Sequence, residues 1–391
     1  MSNLDLTSPS LLYYNILIKN NNTGFDNNGN SIPITNSVPL VFDEARSNYY
    51  INDPCDYYMS VVSFQVDSQS LPIFICEPVV GSNNINDTIY WLTITDSSDN
   101  VLSHQNVQWE PEDLSAVPPV GTAPANYTAN PYYYSYSYNH FVGLINKTIE
   151  NMCNSISFPD RAPFMTVKDG TVSITGSLSG FATAYQFDLP TYKLFFNTEL
   201  FYLFSSLNSL ARGDPLTGSL GGITYNANYQ ILFVQNPSGL NYSLVYVNLN
   251  EFPLTTSYPA IVNTCDYPPF AFWNPIDSIV FKVAQLHVVP ELISANSQFG
   301  TEGGVAPTNA DQYNILSDYV ASFVGTDTYQ PAITYEPVAE YRLSDLYGKG
   351  KISQLQITTS WKDKNGIQHV FNLESGGTAA IKIMFRKKEF N

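Results

Sequence analysis

QLQITTSWKDKNGIQHVFNLESGGTAAIKIMF, residues Gln354–Phe385, is the stretch on which the fold reading turns. Three runs within it, Gln354–Trp361, Ile367–Leu373 and Ala380–Phe385, are rich in the β-branched and aromatic residues that suit a pleated, half-buried surface. Asp363–Gly366 (DKNG) separates the first two and is tight-turn sequence. Strands this close together predict an antiparallel three-strand meander, not βαβ units.

Similar signals extend towards the N-terminus. Asp56–Asp67 (DYYMSVVSFQVD) and Ser278–Val289 read as strands. Thr88–Asp96 leads through DSSDN into Val101–Trp109 as a hairpin. Leu11–Lys19 (LLYYNILIK) is a β-type apolar run without clean alternation. Leu71–Val80, broken by two prolines, reads as extended chain at an edge or bend. Phe164–Thr175 and Gly180–Asp188 around Gly176–Ser179, and Tyr229–Gln235 and Tyr242–Leu249 around NPSG, read as two further hairpins. Tyr192–Leu207 fits either a core strand pair or a short buried helix, because periodicity does not separate them. Asn20–Asn30, Glu110–Asn130 and Gly300–Asp311 read as loops. Asn139–Asn154 is the helix candidate, with Phe141, Leu144 or Ile145, Ile149 and Met152 in one stripe.

Composition agrees. The 391 residues include 28 Tyr and 23 Phe, and only 13% are charged, so a bundle of solvated helices is excluded. The net charge of −17 disfavours nucleic acid as the main partner. It is uneven: residues 341–391 carry nine Lys or Arg against four Asp or Glu, while the remainder is strongly acidic. The C-terminal cations Lys382, Arg386, Lys387 and Lys388 are therefore candidates for a basic tail facing an enclosed or neighbouring anion such as encapsidated DNA. No run has the length and apolarity of a membrane helix.

Motifs for chemistry are sparse. Cys55, Cys76, Cys153 and Cys265 show no metal-like spacing and read as free thiols. His104, His140, His287 and His369 form no ligand pattern, and His287 reads as a core histidine. The sequence contains no GxSxG, GxGxxG or Walker-type motif, and no catalytic residue, cofactor or metal is expected. Glu110–Asp113 (EPED) reads as solubilising. Pro131–Tyr138 (PYYYSYSY) suits either an aromatic strand or a recognition surface. Arg212-Gly213-Asp214 is a candidate receptor motif if displayed on an exposed turn, as the surrounding Ser, Gly and Pro predict; it equally fits an ordinary turn.

Several segments together resemble the penton proteins of virophages, polintons and polinton-like viruses. They are Ile51–Phe74 (INDPCDYYMSVVSFQV through LPIF), Tyr138–Asn151, Phe195–Phe204 (FFNTELFYLF), Phe272–Phe281 (FWNPIDSIVF), Tyr341–Gly366 and Ala380–Phe390. The resemblance, similar in plan to adenovirus penton base, implies an all-β chain: a single jelly roll with a large β-rich insertion and one or two short helices. It places the jelly-roll base in 1–80 and 270–391 and the inserted domain in 81–269, which could also contribute jelly-roll strands. It implies a non-enzymatic subunit of the virion capsid, made in the host cytoplasm or a viral factory. Its expected partners are four further copies in a homopentamer at the icosahedral vertex, neighbouring major capsid proteins, and a host receptor or vertex fibre. The rival readings are a double-jelly-roll major capsid protein forming trimeric hexon-like capsomers, a receptor-binding spike, and a carbohydrate-binding or hydrolytic β protein.

Overall fold

The computed structural model describes residues 10–20, 23–25, 31–33, 38–67, 71–168, 170–183, 188–220, 222–234, 243–247, 258–283, 286, 288, 291–292, 312–313, 315–319, 332–335, 342–348 and 350–388. The predicted loop at 300–311 and His287 lie outside them. The chain separates into two compact units. Unit 1 comprises Met1–Leu71, Pro275–Ser322 and Gln330–Asn391, and unit 2 is built on Pro72–Asn274.

In chain order, unit 1 opens with strands β1 (Leu11–Lys19), β2 (Val41–Ala45) and β3 (Tyr57–Asp67). Unit 2 follows with β4 (Asp87–Asp96), β5 (Val101–Gln108), helix α1 (Tyr138–Ser155), β6 (Phe164–Lys168), β7 (Thr171–Ser177) and β8 (Tyr192–Phe196). It ends with α2 (Thr198–Leu203), β9 (Ser209–Leu220), β10 (Ile223–Ile231), β11 (Ser243–Val247), β12 (Tyr258–Thr264) and α3 (Phe270–Trp273). Unit 1 resumes with β13 (Ile276–Val283), β14 (Ile315–Tyr319), β15 (Ala332–Tyr335), β16 (Gln354–Asp363), β17 (Gln368–Val370) and β18 (Thr378–Lys387).

Unit 1 is a jelly roll. One sheet runs β1-β18-β3-β15; the other runs β14-β13-β16, with β2 and β17 both pairing β16. Every pairing is antiparallel. Setting β17 aside, the eight long strands numbered along the chain give the orders 1-8-3-6 and 2-7-4-5. Successive strands thus alternate between sheets except at the fourth and fifth, which is two nested Greek keys. Unit 2 interrupts the connection between the third and fourth.

This topology corrects the expected closing meander. β16 and β17 do form the DKNG hairpin: Gly366 takes φ +81°, and the Asp363 carboxylate accepts from the N–H groups of Asn365 and Ile367 at 2.9 Å. The third strand, β18, crosses to the other sheet and pairs with β1 and β3 instead. Between them Asn372–Leu373 pairs with Val38–Pro39.

Alternation explains which side chains fill the sandwich. In β18, Ala379, Ile381, Ile383 and Phe385 are all buried at period two. In β3 the buried series Tyr57, Met59, Val61 changes phase to Phe64, Val66, because a bulge at Val62 interrupts the register between Lys382/Ser63 and Ile383/Val61. One extra residue turns every later side chain to the opposite face. Phe64 meets Phe42 and Phe281 of the facing sheet edge-on.

Unit 2 contains a five-stranded sheet, β9-β10-β8-β4-β5, and a four-stranded sheet, β6-β7-β12-β11, with α1 packed against both β5 and β6. The β4–β5 hairpin forms as expected. Two expected hairpins do not. β6 and β7 turn at Gly170, φ +76°, rather than at 176–179, since Gly176 and Ser177 continue β7 into its pairing with β12. The strands on either side of NPSG, β10 and β11, belong to different sheets. Tyr192–Leu207 is both things at once: strand β8, then helix α2 capped by the Asn197 side chain, which accepts from Leu200 N–H at 3.2 Å. Helix α1 covers the predicted stripe and buries Phe141, Leu144, Ile145, Ile149 and Met152. Asn146 fastens it to β6, accepting from Met165 N–H at 2.6 Å and donating to Met165 C=O at 2.9 Å.

Candidate assembly surfaces

The outer face of the β1-β18-β3-β15 sheet is apolar and cationic. β1 turns Tyr14 and Ile16 inward and Leu11, Tyr13 and Leu17 outward, the last 74% exposed. Opposite Leu11, Tyr13 and Asn15 stand Arg386, Met384 and Lys382 of β18. Lys382 Nζ lies 5.3 Å from the centroid of the Tyr13 ring, a cation–π contact. Arg386 is exposed.

The basic residues expected as a tail are therefore strand residues and their immediate continuation. Lys387 N–H donates to Ser10 C=O at 2.9 Å. Lys388 is held by unit 1 itself: Nζ donates to the carbonyls of Cys55 and Leu346, at 2.6 and 3.0 Å, and pairs with Asp345. Only Lys382 and Arg386 of the four project from the sheet's outer face.

Arg212-Gly213-Asp214 does not sit on a turn. It lies inside β9, where the register breaks between Ala211 and Leu216 and so accommodates Pro215. Arg212 Nη1 is 2.9 Å from Asp99 Oδ2, and Lys193 Nζ is 2.7 Å from Asp99 Oδ1. Burial alone would raise the Asp99 pKa, but hydrogen bonds from Lys193 and Arg212 outweigh it and hold the carboxyl below its ordinary value. Gly213 and Asp214 are exposed, while the guanidinium is engaged within the fold.

The tyrosine cluster is interior. Pro131–Tyr133 is a 3-10 turn and only Tyr134–Ser135 is strand. Tyr132, Tyr133, Tyr134 and Tyr138 are buried. Their hydroxyls are satisfied locally, Tyr132 donating to Asn86 Oδ1 at 2.6 Å, Tyr133 to Ile85 C=O at 3.0 Å and Tyr134 to Thr128 C=O at 2.7 Å. The EPED segment does more than solubilise. Glu112 accepts from the N–H groups of Tyr136 and Ser137, at 2.6 and 3.1 Å, and so fixes the chain entering α1. Sequence reasoning missed this carboxylate because its partners lie 24 and 25 residues away. The same loop carries Leu114, Val117 and Val120, which are 80% exposed or more.

The described histidines hold aromatic packing together. His104 stacks on Trp91, His369 on Trp361, and His140 meets Trp109 edge-on. Among the described residues no group of His, Cys, Asp and Glu could hold a metal ion. The cysteines are free, and Cys76, Cys153 and Cys265 are buried.

A jelly roll of this strand order is an architecture that viral capsid proteins use. The sequence profile described as Sputnik minor capsid protein V18/19 matches residues 12–387, and the chain belongs to that family. Two Sputnik virophage proteins are similar: "Uncharacterized protein V18", 34% identical over 170 residues, covering 41% of this chain and 93% of that one, and "Structural protein V19", 27% identical over 222 residues, covering 55% and 90%. Among solved structures, a chain of the Sputnik virophage determined by cryo-electron microscopy superposes with TM-score 0.73 at 24% identity, covering 97% of this chain and 99% of that one. The mavirus penton protein superposes with TM-score 0.63 at 16% identity, covering 97% and 100%. The chain is thus a non-enzymatic structural protein of the virion capsid with a penton-type fold, and it assembles with other capsid proteins.

Proposed function

We propose that five copies of this chain close a ring at the capsid vertex, and that the ring contacts neighbouring major capsid proteins. The observation that carries this reading is the single jelly roll interrupted by one large insertion, a plan matched along the whole mavirus penton chain. A trimeric double-jelly-roll capsomer would need two tandem rolls. Here unit 2 has the strand orders β9-β10-β8-β4-β5 and β6-β7-β12-β11, which are not those of a second roll.

A closed ring uses two different patches on each subunit, each complementary to the other. The outer face of β1 and β18 supplies one of them: Leu11, Tyr13 and Leu17 are the apolar area a neighbour would cover, and Lys382 and Arg386 suit the acidic character of residues 1–340. We assign these two cations to a sibling copy rather than to DNA, because two phosphate contacts make a weak, salt-labile attachment. The ion pair with Asp99 favours a structural role for Arg212 over a receptor contact.

Native mass spectrometry of the purified 43.5 kDa chain tests the reading. Pentamers are expected, and Tyr13→Asp with Leu17→Asp converts them to monomers that keep the circular dichroism of the folded chain. Trimers, or a wild-type chain that stays monomeric at every concentration, would overturn it.

A further inference from the structure

β1 is the outermost strand of its sheet, and its ladder is filled on one side only. Its nine residues run against β18 without a register shift, from Leu11 opposite Arg386 to Lys19 opposite Thr378. Bonds at both ends fix the parity. Lys387 N–H donates to Ser10 C=O at 2.9 Å, and Asn20 N–H donates to Gly377 C=O at 3.0 Å. Bonded and non-bonded residues alternate along an antiparallel pair. Leu12, Tyr14, Ile16 and Ile18 therefore bond to β18, while the N–H and C=O groups of Leu11, Tyr13, Asn15, Leu17 and Lys19 point away from it. Among the described residues no strand pairs with that edge.

The edge is unguarded. Proteins blunt open edges with proline, charge, bulges or short length, because a long apolar edge is a template for another chain. The sheet edge β9 of unit 2 is broken around Pro215, and β15, at the far edge of the same sheet as β1, has four residues. LLYYNILIK has no proline, glycine or carboxylate, and its one charge is the terminal Lys19. The sandwich is also left open along this edge. On β18 the inward Ala379, Ile381, Ile383 and Phe385 are fully buried, whereas the inward Leu12, Tyr14 and Ile18 of β1 are only half-buried. One more strand would finish their burial and would meet Leu11, Tyr13 and Leu17 on the other face.

Length and charge narrow the occupant. The other edge strands of the jelly roll, β2, β14, β15 and β17, have five residues or fewer, too short for a sibling copy to cover nine. The longer edges of unit 2, β5 and β9, lie in ladders interrupted by register shifts. β1 and β18 carry Lys19, Lys382, Arg386 and Lys387 and no carboxylate, which favours a neutral or acidic strand. We propose that this edge takes up, by strand addition, an extended segment of a different capsid protein, apolar at alternate positions and free of basic residues. Side chains stand perpendicular to a sheet and amides lie in its plane, so a copy covering the outer face of β1 leaves the edge available. The proposal rests on assembly with other capsid proteins and not on the number of copies in the ring.

The test is hydrogen–deuterium exchange resolved to single residues, on the purified full chain and on intact capsid particles that contain it. The amides of Leu11, Tyr13, Asn15, Leu17 and Lys19 should exchange about tenfold or more slowly in the particle than in the purified chain, while those of Leu12, Tyr14, Ile16 and Ile18 are slow in both. Equal exchange of the odd-numbered amides in the two samples would overturn the proposal. So would their protection in the purified chain, since a second copy would then be the occupant. Asn15→Pro deletes one outward donor and leaves the bonds to β18, a change that edge strands tolerate. It should cut incorporation into particles about tenfold or more relative to Asn15→Ala, with unchanged circular dichroism and oligomer mass. Equal incorporation of the two variants would also overturn the proposal. If Asn15→Pro disturbs the fold or the oligomer, the exchange pattern decides alone. None of these results alters the wild-type mass that tests the vertex assignment.

Discussion

The Phe64 ring meets the Phe281 ring edge-on, with centroids 4.8 Å apart and planes at 74°. Phe64 comes from one sheet of the jelly roll and Phe281 from the other, and both are fully buried. The pair therefore joins the two layers at the centre of unit 1.

Phe64→Ala should lower the stability of unit 1 by about 3–5 kcal/mol, the usual sum of lost transfer energy and residual cavity. Phe64→Leu, which keeps most of the volume, should cost clearly less. Denaturant unfolding followed by circular dichroism checks both; equal losses for the two variants would contradict the packing role.

Asn197 joins three structural tasks in one side chain: the bond to Trp91 N–H, the bond to Ile89 C=O and the cap on α2. Asn197→Ala leaves buried backbone groups without partners and should destabilise unit 2 by roughly 2–4 kcal/mol. Because Asn197 holds the Trp91 backbone, Trp91 fluorescence should shift red in the same variant. Hydrogen exchange at Trp91 N–H gives the site-specific reading, with protection falling in step.

Asp99 sets a pH dependence of definite sign. Its pKa is depressed in the folded state by the bonds from Lys193 and Arg212. Its contribution is thus fully present above the unfolded carboxylate pKa and is lost as pH falls through the lower folded value. Asp99→Asn removes the charge but keeps a residue that tolerates the left-handed backbone at this position, φ +67°. Melting curves between neutral and acid pH should show the wild type losing its advantage over this variant as the pH falls below about 4. The advantage at neutral pH should be small, on the order of 1 kcal/mol, as for other partly exposed pairs.

Gly176 lies under the ring of Phe233. A Cβ there would come within 2.9 Å of that ring, and Phe233 is buried. Gly176→Ala should cost about 1–3 kcal/mol through overpacking. Gly176→Ala combined with Phe233→Leu should recover part of the loss, which a double-mutant cycle on thermal stability would reveal.

Much of the fold is legible along the chain. The strand runs at β3, β4, β13 and β16, the β4–β5 and DKNG turns, and the α1 stripe all follow from local pattern, because alternation or a 3.6-residue period records which side of an element is buried. One signal reads differently with the structure in hand. LLYYNILIK lacks alternation because β1 is apolar on both faces, with Tyr14 and Ile16 towards the core and Leu11, Tyr13 and Leu17 outward. The candidate assembly surface was thus present in the sequence as a departure from period two.

By itself, then, the sequence determined the β class, the placement of most long strands, the one long helix and the family to which the aromatic blocks belong. Tertiary structure alone decided that β18 leaves its neighbours to pair with β1 and β3, that Arg212 is tied to Asp99, and that Asn197 ties β4 to the start of α2. The physical reason is common to all three. Periodicity specifies that a face must be covered, but the partner that covers it is chosen by contacts between residues far apart in the chain, such as Tyr13 opposite Met384, which no local window contains.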